Sequence, residues 1–182
     1  MNDDVVSRRA VLAGLAAIPA GVMAGAAAGS SSTPGLSRNS ESIHQELYFA
    51  ATPARVYRAL LDASQFAEVI RLGAAARLLD APGAAPVAID ARVGGAFTLF
   101  GGYITGLQLE LVADRRIVQA WHEHVWEPGE FSVARFSLSG QGAGTKVVFD
   151  HRGFPDGAGP HLSRGWYANY WDPLKAYLAR GS

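Results

Sequence analysis

The residues best suited to chemistry in this sequence are histidines. His122 and His124 stand two apart in RRIVQAWHEHVW, a stretch that reads as a strand, so both imidazoles project from one side of it. With His151 or His161 they would make a zinc ligand set with one position left for water. Glu123 and Asp150 are the carboxylates nearest to them, and either could pair with His124 or His151 as an acid–base couple. The spacing raises neither reading above the plain one. No acidic ligand stands at metal-site spacing, and a strand with one solvated side carries such histidines as surface residues. No catalytic residue, metal or cofactor is therefore assigned.

Other chemistries are excluded more directly. The chain has no cysteine, which removes disulfides, thiolate metal sites and thiol nucleophiles. GQGAGTK has the wrong spacing for a phosphate loop and leads into a strand where that loop needs a helix. No G-x-S-x-G is present. Sixteen basic and sixteen acidic residues give zero net charge, so neither nucleic acid nor an anionic membrane surface is implied as a partner.

What remains is an aromatic supply. Trp121, Trp126, Trp166 and Trp171 are joined by Tyr167 and Tyr170. An aromatic stripe is core in the first instance, but the wall of a cavity is also core, and buried indole N–H and phenol O–H groups want partners. Phe97, Trp121, His122, His124, Trp126, His151, Trp166, Tyr170 and Trp171 are the candidate ligand-binding residues. For His151, in FDHRGFP, two roles stand open: a polar group aimed into a cavity, or a hydrogen bond that holds the loop before the last helix. The structural role is preferred.

These side chains need a frame. SIHQELYFAA alternates as a strand over 42–51. Thr52-Pro53 supplies an N-cap and first-turn proline for a helix whose face carries Val56, Tyr57, Leu60 and Leu61. A second short helix follows around 64–70, and residues 72–86 read as loop. PVAIDARV and GGAFTLF begin a meander, with Gly101-Gly102 as a tight hairpin turn. YITGLQLELV sets Leu107, Leu109 and Leu111 against Gln108 and Glu110. Asp114-Arg115 turns the chain, Glu127-Pro128-Gly129 breaks it, and EFSVARFSLS and TKVVFDHR flank a glycine turn. Along 117–126 both faces are mixed, so alternation does not choose the inward one. Leu162, Trp166, Tyr170, Leu174 and Leu178 recur every four residues on an amphipathic helix of about 20 residues, which Pro173 should kink. The order predicts an α+β fold: a curved antiparallel sheet of about six or seven strands packed on the terminal helix, with a cavity possible between them.

The N-terminus has another character. Arg8-Arg9 precedes an uncharged run over 10–29, rich in Ala and Gly, with small-residue cleavage positions at Ala24–Ala28. That is the layout of an export signal and is similar to a twin-arginine signal, with Val11 where a bulkier aromatic is usual. Residues 1–28 are read as this signal, 29–41 as a flexible linker and 42–180 as the folded domain. The expected location is periplasmic or extracellular, with the export machinery as partner and the membrane met only through the signal. An uncleaved signal serving as a membrane anchor is the alternative.

Five segments in register, TPARVYRALLDASQF, GGAFTLFGGYITG, RRIVQAWHEHVW, GTKVVFDHRGFP and HLSRGWYANYWDPLKAYL, resemble the START-like helix-grip (SRPBCC) superfamily. Within it they match the group named after the activator of the heat-shock chaperone ATPase, over about residues 42–180. The resemblance implies the same sheet-and-helix grip with an internal cavity. It also implies three possible activities: binding of a small hydrophobic or amphipathic molecule, cyclase- or hydrolase-like catalysis through the histidines, or cytosolic regulation of a chaperone ATPase. Fold alone does not choose among them. An exported protein would be separated from a cytosolic chaperone, so a ligand-binding domain is expected.

Overall fold

The structure, a computed structural model, describes residues 41–180. Residues 1–28, read from the sequence as an export signal, and all of the expected linker but Glu41 lie outside the described residues. Glu41 is held at its place: its carboxylate accepts hydrogen bonds from the Gly157 and Gly159 N–H groups at 3.1 and 3.3 Å.

The first strand, β1 (Ser42–Phe49), leads into helices α1 (Pro53–Leu61) and α2 (Ala63–Arg71). Thr52 caps α1 through its hydroxyl, and Pro53 occupies the first turn. Asp62 ends α1 and starts α2, its carboxylate accepting from the Gln65 N–H at 2.9 Å and the Ser64 hydroxyl at 2.6 Å. The meander follows as β2 (Ala88–Ile89), β3 (Ala96–Leu99), β4 (Ile104–Val112), β5 (Arg116–Glu123), β6 (Ser132–Gln141) and β7 (Gly144–Arg152). All pairings are antiparallel, in the order β1-β7-β6-β5-β4-β3-β2, so the first strand closes against the last. The two helices thus carry the chain from one sheet edge to the other.

The terminal helix runs as α3 (Gly159–Trp166), a π-helical turn (Tyr167–Trp171) and α4 (Asp172–Ala179). Pro173 acts here as predicted, but through a wider turn. A proline cannot donate its hydrogen bond and crowds the carbonyl four residues back, and a π-turn accommodates both. The carbonyl of Ala168 accepts the Ala74 N–H at 3.2 Å, and Asn169 Oδ1 accepts that of Ala75 at 2.9 Å, which pins the loop after α2 to the helix. The extra residue also lets Trp166, Tyr170 and Trp171 all reach the core.

Two expectations are corrected. The leucines of β4 do not face inward throughout: Leu107 and Leu109 are exposed, and Gln108 is fully buried. The phase is set upstream, where Gly106 lies beneath the Phe97 ring and against the Ala120 carbonyl, leaving no room for a Cβ. A β-bulge between Gln108 and Glu110 then resets the alternation, so Leu111 pairs with Ile117 and packs on the core. The second correction concerns Gly101-Gly102. They are not a two-residue hairpin but part of a 3₁₀ turn, Phe100–Gly102, in which Phe100 itself has φ of 51°. A side chain at Gly101 would strike the Leu78 carbonyl. The turn drives the Phe100 ring into the interior.

Candidate functional site

β5 decides what the sheet presents to the helix. Ile117, Gln119, Trp121 and Glu123 point inward, and Val118, Ala120 and His122 outward. Between this inner face, the Phe100 turn and the terminal helix lies a cavity of about 140 Å³. Its deep walls are Phe100, Ile104, Trp121, Leu162, Trp166 and Tyr170, all buried. Its mouth is formed by half-buried Ala75, Leu78 and Tyr103 and by exposed His161. The rings make a continuous aromatic surface, with Trp121–Trp166 centroids 5.4 Å apart, Trp166–Tyr170 4.2 Å and Phe100–Tyr170 5.5 Å.

One end of this apolar cavity is polar. Glu123, only 4% exposed, brings a carboxylate to the lining, with His161 Nε2 at 3.5 Å across the mouth. Burial, and then the charge and hydrogen-bond contact of Glu123, raise the Tyr103 hydroxyl above its ordinary pKa. Burial likewise pushes the Tyr170 hydroxyl well up; the nearby Trp121 indole N–H works against that and the Glu123 charge adds to it. Yet the Trp121 N–H and the Tyr170 hydroxyl, on residues 4% and 5% exposed, complete no hydrogen bond within the described residues. Buried polar groups are normally paired, so these two are exceptions within the cavity wall.

A second polar centre lies close by and is closed. The Trp166 indole N–H donates to His151 Nδ1 at 3.0 Å, which fixes the tautomer with the proton on Nε2. That N–H donates to Ser132 Oγ at 2.6 Å, and the Ser132 hydroxyl donates to the Trp121 carbonyl at 3.1 Å. His151 is fully buried among Trp121, Phe149, Phe154 and Trp166. Burial depresses its pKa to about 3, so it is neutral. The chain of bonds ties β5, β6, β7 and α3 together.

The sequence-derived candidates separate on this geometry. Trp121, Trp166 and Tyr170 meet at the cavity. Phe97 lies in the core with its ring over Gly106, and Trp171 is spent on a 2.5 Å hydrogen bond to Gln45 Oε1. β5 ends at Glu123, so His122 and His124 do not share a strand face. His122 lies on the outer side, its Nδ1–H donating to the Glu130 carbonyl at 2.7 Å, and His124 is exposed. Trp126 folds back in the turn and packs on Trp121 with centroids 5.7 Å apart. His151 stands in its own network. These three histidines are therefore not brought together, and among the described residues no three His, Asp or Glu groups converge as a metal site. Sequence reasoning missed Phe100, Tyr103, Leu162, the cavity-facing role of Glu123 and the place of His161 at its mouth. The two-residue spacing of Glu123 from Trp121 was the one available signal.

Comparison with known proteins agrees with this architecture. Residues 50–179 match the family model described as Activator of Hsp90 ATPase homolog 1-like protein. The mouse activator of 90 kDa heat shock protein ATPase homolog 1 is 26% identical over 115 residues, covering 63% of this chain and 34% of that protein. An uncharacterised Schizosaccharomyces pombe protein is 26% identical over 144 residues, covering 79% of this chain and 39% of its own length. The chain thus spans about a third of the length of the curated relatives it matches. Among solved structures, a Plasmodium falciparum Hsp90 activator superposes with a TM-score of 0.63 at 23% identity, covering 76% of this chain and 96% of that one. A Chromobacterium violaceum protein gives 0.60 at 26%, covering 75% and 96%. With the family model spanning most of the domain and the same helix-grip topology in its neighbours, the chain belongs to the Activator of Hsp90 ATPase homolog 1-like family.

Proposed function

We propose that this protein is an exported START-like domain that holds a small hydrophobic or amphipathic molecule between its sheet and its terminal helix. The observation that carries the reading is the aromatic cavity between sheet and terminal helix, walled by Phe100, Ile104, Trp121, Leu162, Trp166 and Tyr170. Such a wall offers a small molecule a largely apolar and aromatic surface, with the Glu123 carboxylate and His161 as the polar groups near the mouth. The cavity of about 140 Å³ has room for one ring, and its mouth lets a longer molecule extend outward. Export rests on the Arg8-Arg9 signal pattern.

The catalytic alternative loses its proposed groups, because His122, His124 and His151 do not line the cavity. Regulation of a chaperone ATPase is the activity named for the mouse relative, of which this chain spans about a third. It requires a cytosolic protein, whereas a folded, exported domain meets no ATP-driven chaperone of that kind.

Native mass spectrometry of the protein from its own host's extracytoplasmic fraction tests both halves together. The expected result is a mass for a chain beginning near Ala27–Gly29, with an adduct of the size of a small aromatic molecule. A full-length, ligand-free protein found only in the cytoplasm would overturn the reading and restore the chaperone-regulator alternative.

A further inference from the structure

The mouth of the cavity fixes the charge of the molecule it would take, granted the ligand-binding reading above. Glu46, Glu68, Asp90, Glu110 and Asp150 each meet an arginine or lysine nitrogen at 2.6–2.9 Å. Glu123 is more buried than any of them, its side chain 6% exposed against 12% for Asp150. Yet its one ionic contact among the described residues is looser: His161 Nε2 stands 3.5 Å from its Oε1, on a side chain 67% exposed. The Tyr103 hydroxyl adds a neutral hydrogen-bond contact. A buried carboxylate is costly unless a cation and hydrogen bonds compensate it, and here the most buried of these carboxylates has the weakest counter-charge.

The position that His161 Nε2 holds is therefore the place for a ligand cation. His161 lies in the first turn of α3 with its ring largely in solvent, so it can swing aside without disturbing the core. An ammonium there brings three donors, and a charge-assisted bond to Glu123 would close to about 2.7–2.9 Å. A carboxylate or phosphate head would face Glu123 with like charge, and no lysine or arginine lines the cavity to hold it. A metal ion would need a third ligand, and among the described residues no three His, Asp or Glu groups converge. An uncharged alcohol bonds to Glu123 but brings it no counter-charge. Behind the mouth the wall is Phe100, Ile104, Leu162, Trp166 and the rings of Trp121 and Tyr170, which suits an apolar body. The volume of about 140 Å³ admits one ring.

We infer that the cavity binds a small amphipathic amine, its apolar body inside the aromatic wall and its protonated nitrogen at the mouth on the Glu123 carboxylate, in the place that His161 Nε2 now holds. Glu123 selects the cation, and His161 is the side chain that yields to it.

The test is a calorimetric titration of the full chain with benzylamine, benzyl alcohol and benzoate, which share one ring and differ in the head. Benzylamine should bind about tenfold more tightly than benzyl alcohol. The two should displace each other, and benzoate should not compete with either. Glu123→Gln, which keeps the shape, should bring benzylamine down to the level of benzyl alcohol. Its affinity for benzyl alcohol should match the parent's, which separates a lost counter-charge from a damaged cavity. His161→Ala, at an exposed position, should bind benzylamine at least as tightly as the parent does. Equal affinity of the parent for benzylamine and benzyl alcohol would overturn the charge selection while leaving an apolar ligand pocket in place. So would tighter binding of benzoate, full benzylamine affinity in Glu123→Gln, or a His161→Ala variant that has lost benzylamine. If none of the three probes binds, both the charge selection and the ligand-binding reading fall.

Discussion

Two polar centres lie a few ångströms apart in the same aromatic core, and they are finished differently. Around His151 every donor has an acceptor: Trp166 N–H, His151 Nε2–H and the Ser132 hydroxyl form an unbroken run that ends on the Trp121 carbonyl. The Trp121 indole N–H and the Tyr170 hydroxyl, on two residues of the cavity wall, are left without partners in the described residues. Trp121 belongs to both, with its carbonyl in the closed network and its indole N–H in the open one. The preferred structural role for His151 agrees with this closed network, and of the four tryptophans Trp121 and Trp166 line the cavity. A satisfied buried network rigidifies, and an unsatisfied one is where function takes precedence over stability.

The comparison can be broken most forcefully at His151. His151→Ala leaves Trp166 N–H and Ser132 without partners and opens a hole, and should destabilise the domain by about 3–4 kcal/mol in denaturant unfolding. Acid acts on the same group. The unfolded histidine takes up its proton near pH 6.5 and the folded one only near 3. Below 6.5 the unfolded state therefore binds more protons, and stability falls as pH falls. The slope approaches about 1.4 kcal/mol per pH unit, or about 2 kcal/mol between 6.5 and 5. A denaturation series over that window should show the slope in the parent and lack it in His151→Leu. Ser132→Ala removes the acceptor of His151 Nε2–H and the donor to the Trp121 carbonyl, and should cost about 2 kcal/mol by the same measurement. On the open side the sign changes: Tyr170→Phe deletes an unpartnered hydroxyl and should raise stability by about 1 kcal/mol, a gain of a few degrees in Tm. Destabilisation by Tyr170→Phe comparable to Ser132→Ala would mean that the two centres do not differ.

Much of this frame was legible because local signals were unambiguous. Thr52-Pro53 capped a helix, Asp114-Arg115 turned between β4 and β5, the glycine stretch closed the β6–β7 hairpin, and the four-residue recurrence of Leu162, Trp166, Tyr170, Leu174 and Leu178 gave the gripped helix. The site was less legible, because its polarity hid its orientation. Alternation fails where Gln108 and Gln119 are both turned inward and meet side chain to side chain at 3.3 Å, and where Glu123 lines a cavity. Leu107 and Leu109, turned outward, strengthened the wrong phase for β4 until the bulge. His122 and His124 looked like a pair only on a strand assumed to run to 126, whereas the turn beginning after Glu123 sends Trp126 back inside.

The π-helical turn at Tyr167–Trp171 has a consequence for how this chain can change length. It holds one residue more than an α-helical turn would, and each residue in a helix advances the side-chain direction by about 100°. Deleting any one of residues 167–169 would restore ordinary winding and swing Leu174 and Leu178 away from the core, or else rotate Trp166 out of the cavity wall; both cannot keep their places. The loop over 72–86 is not under that geometric lock apart from its ties at Ala74, Ala75 and Ala85, the last to the Gly101 carbonyl, and the packing of Leu78 and Leu79 on the core. Insertions and deletions should therefore accumulate between those ties, over the exposed residues 80–83, and be purged from 167–171, so that the spacing of this helix outlasts the identity of its residues.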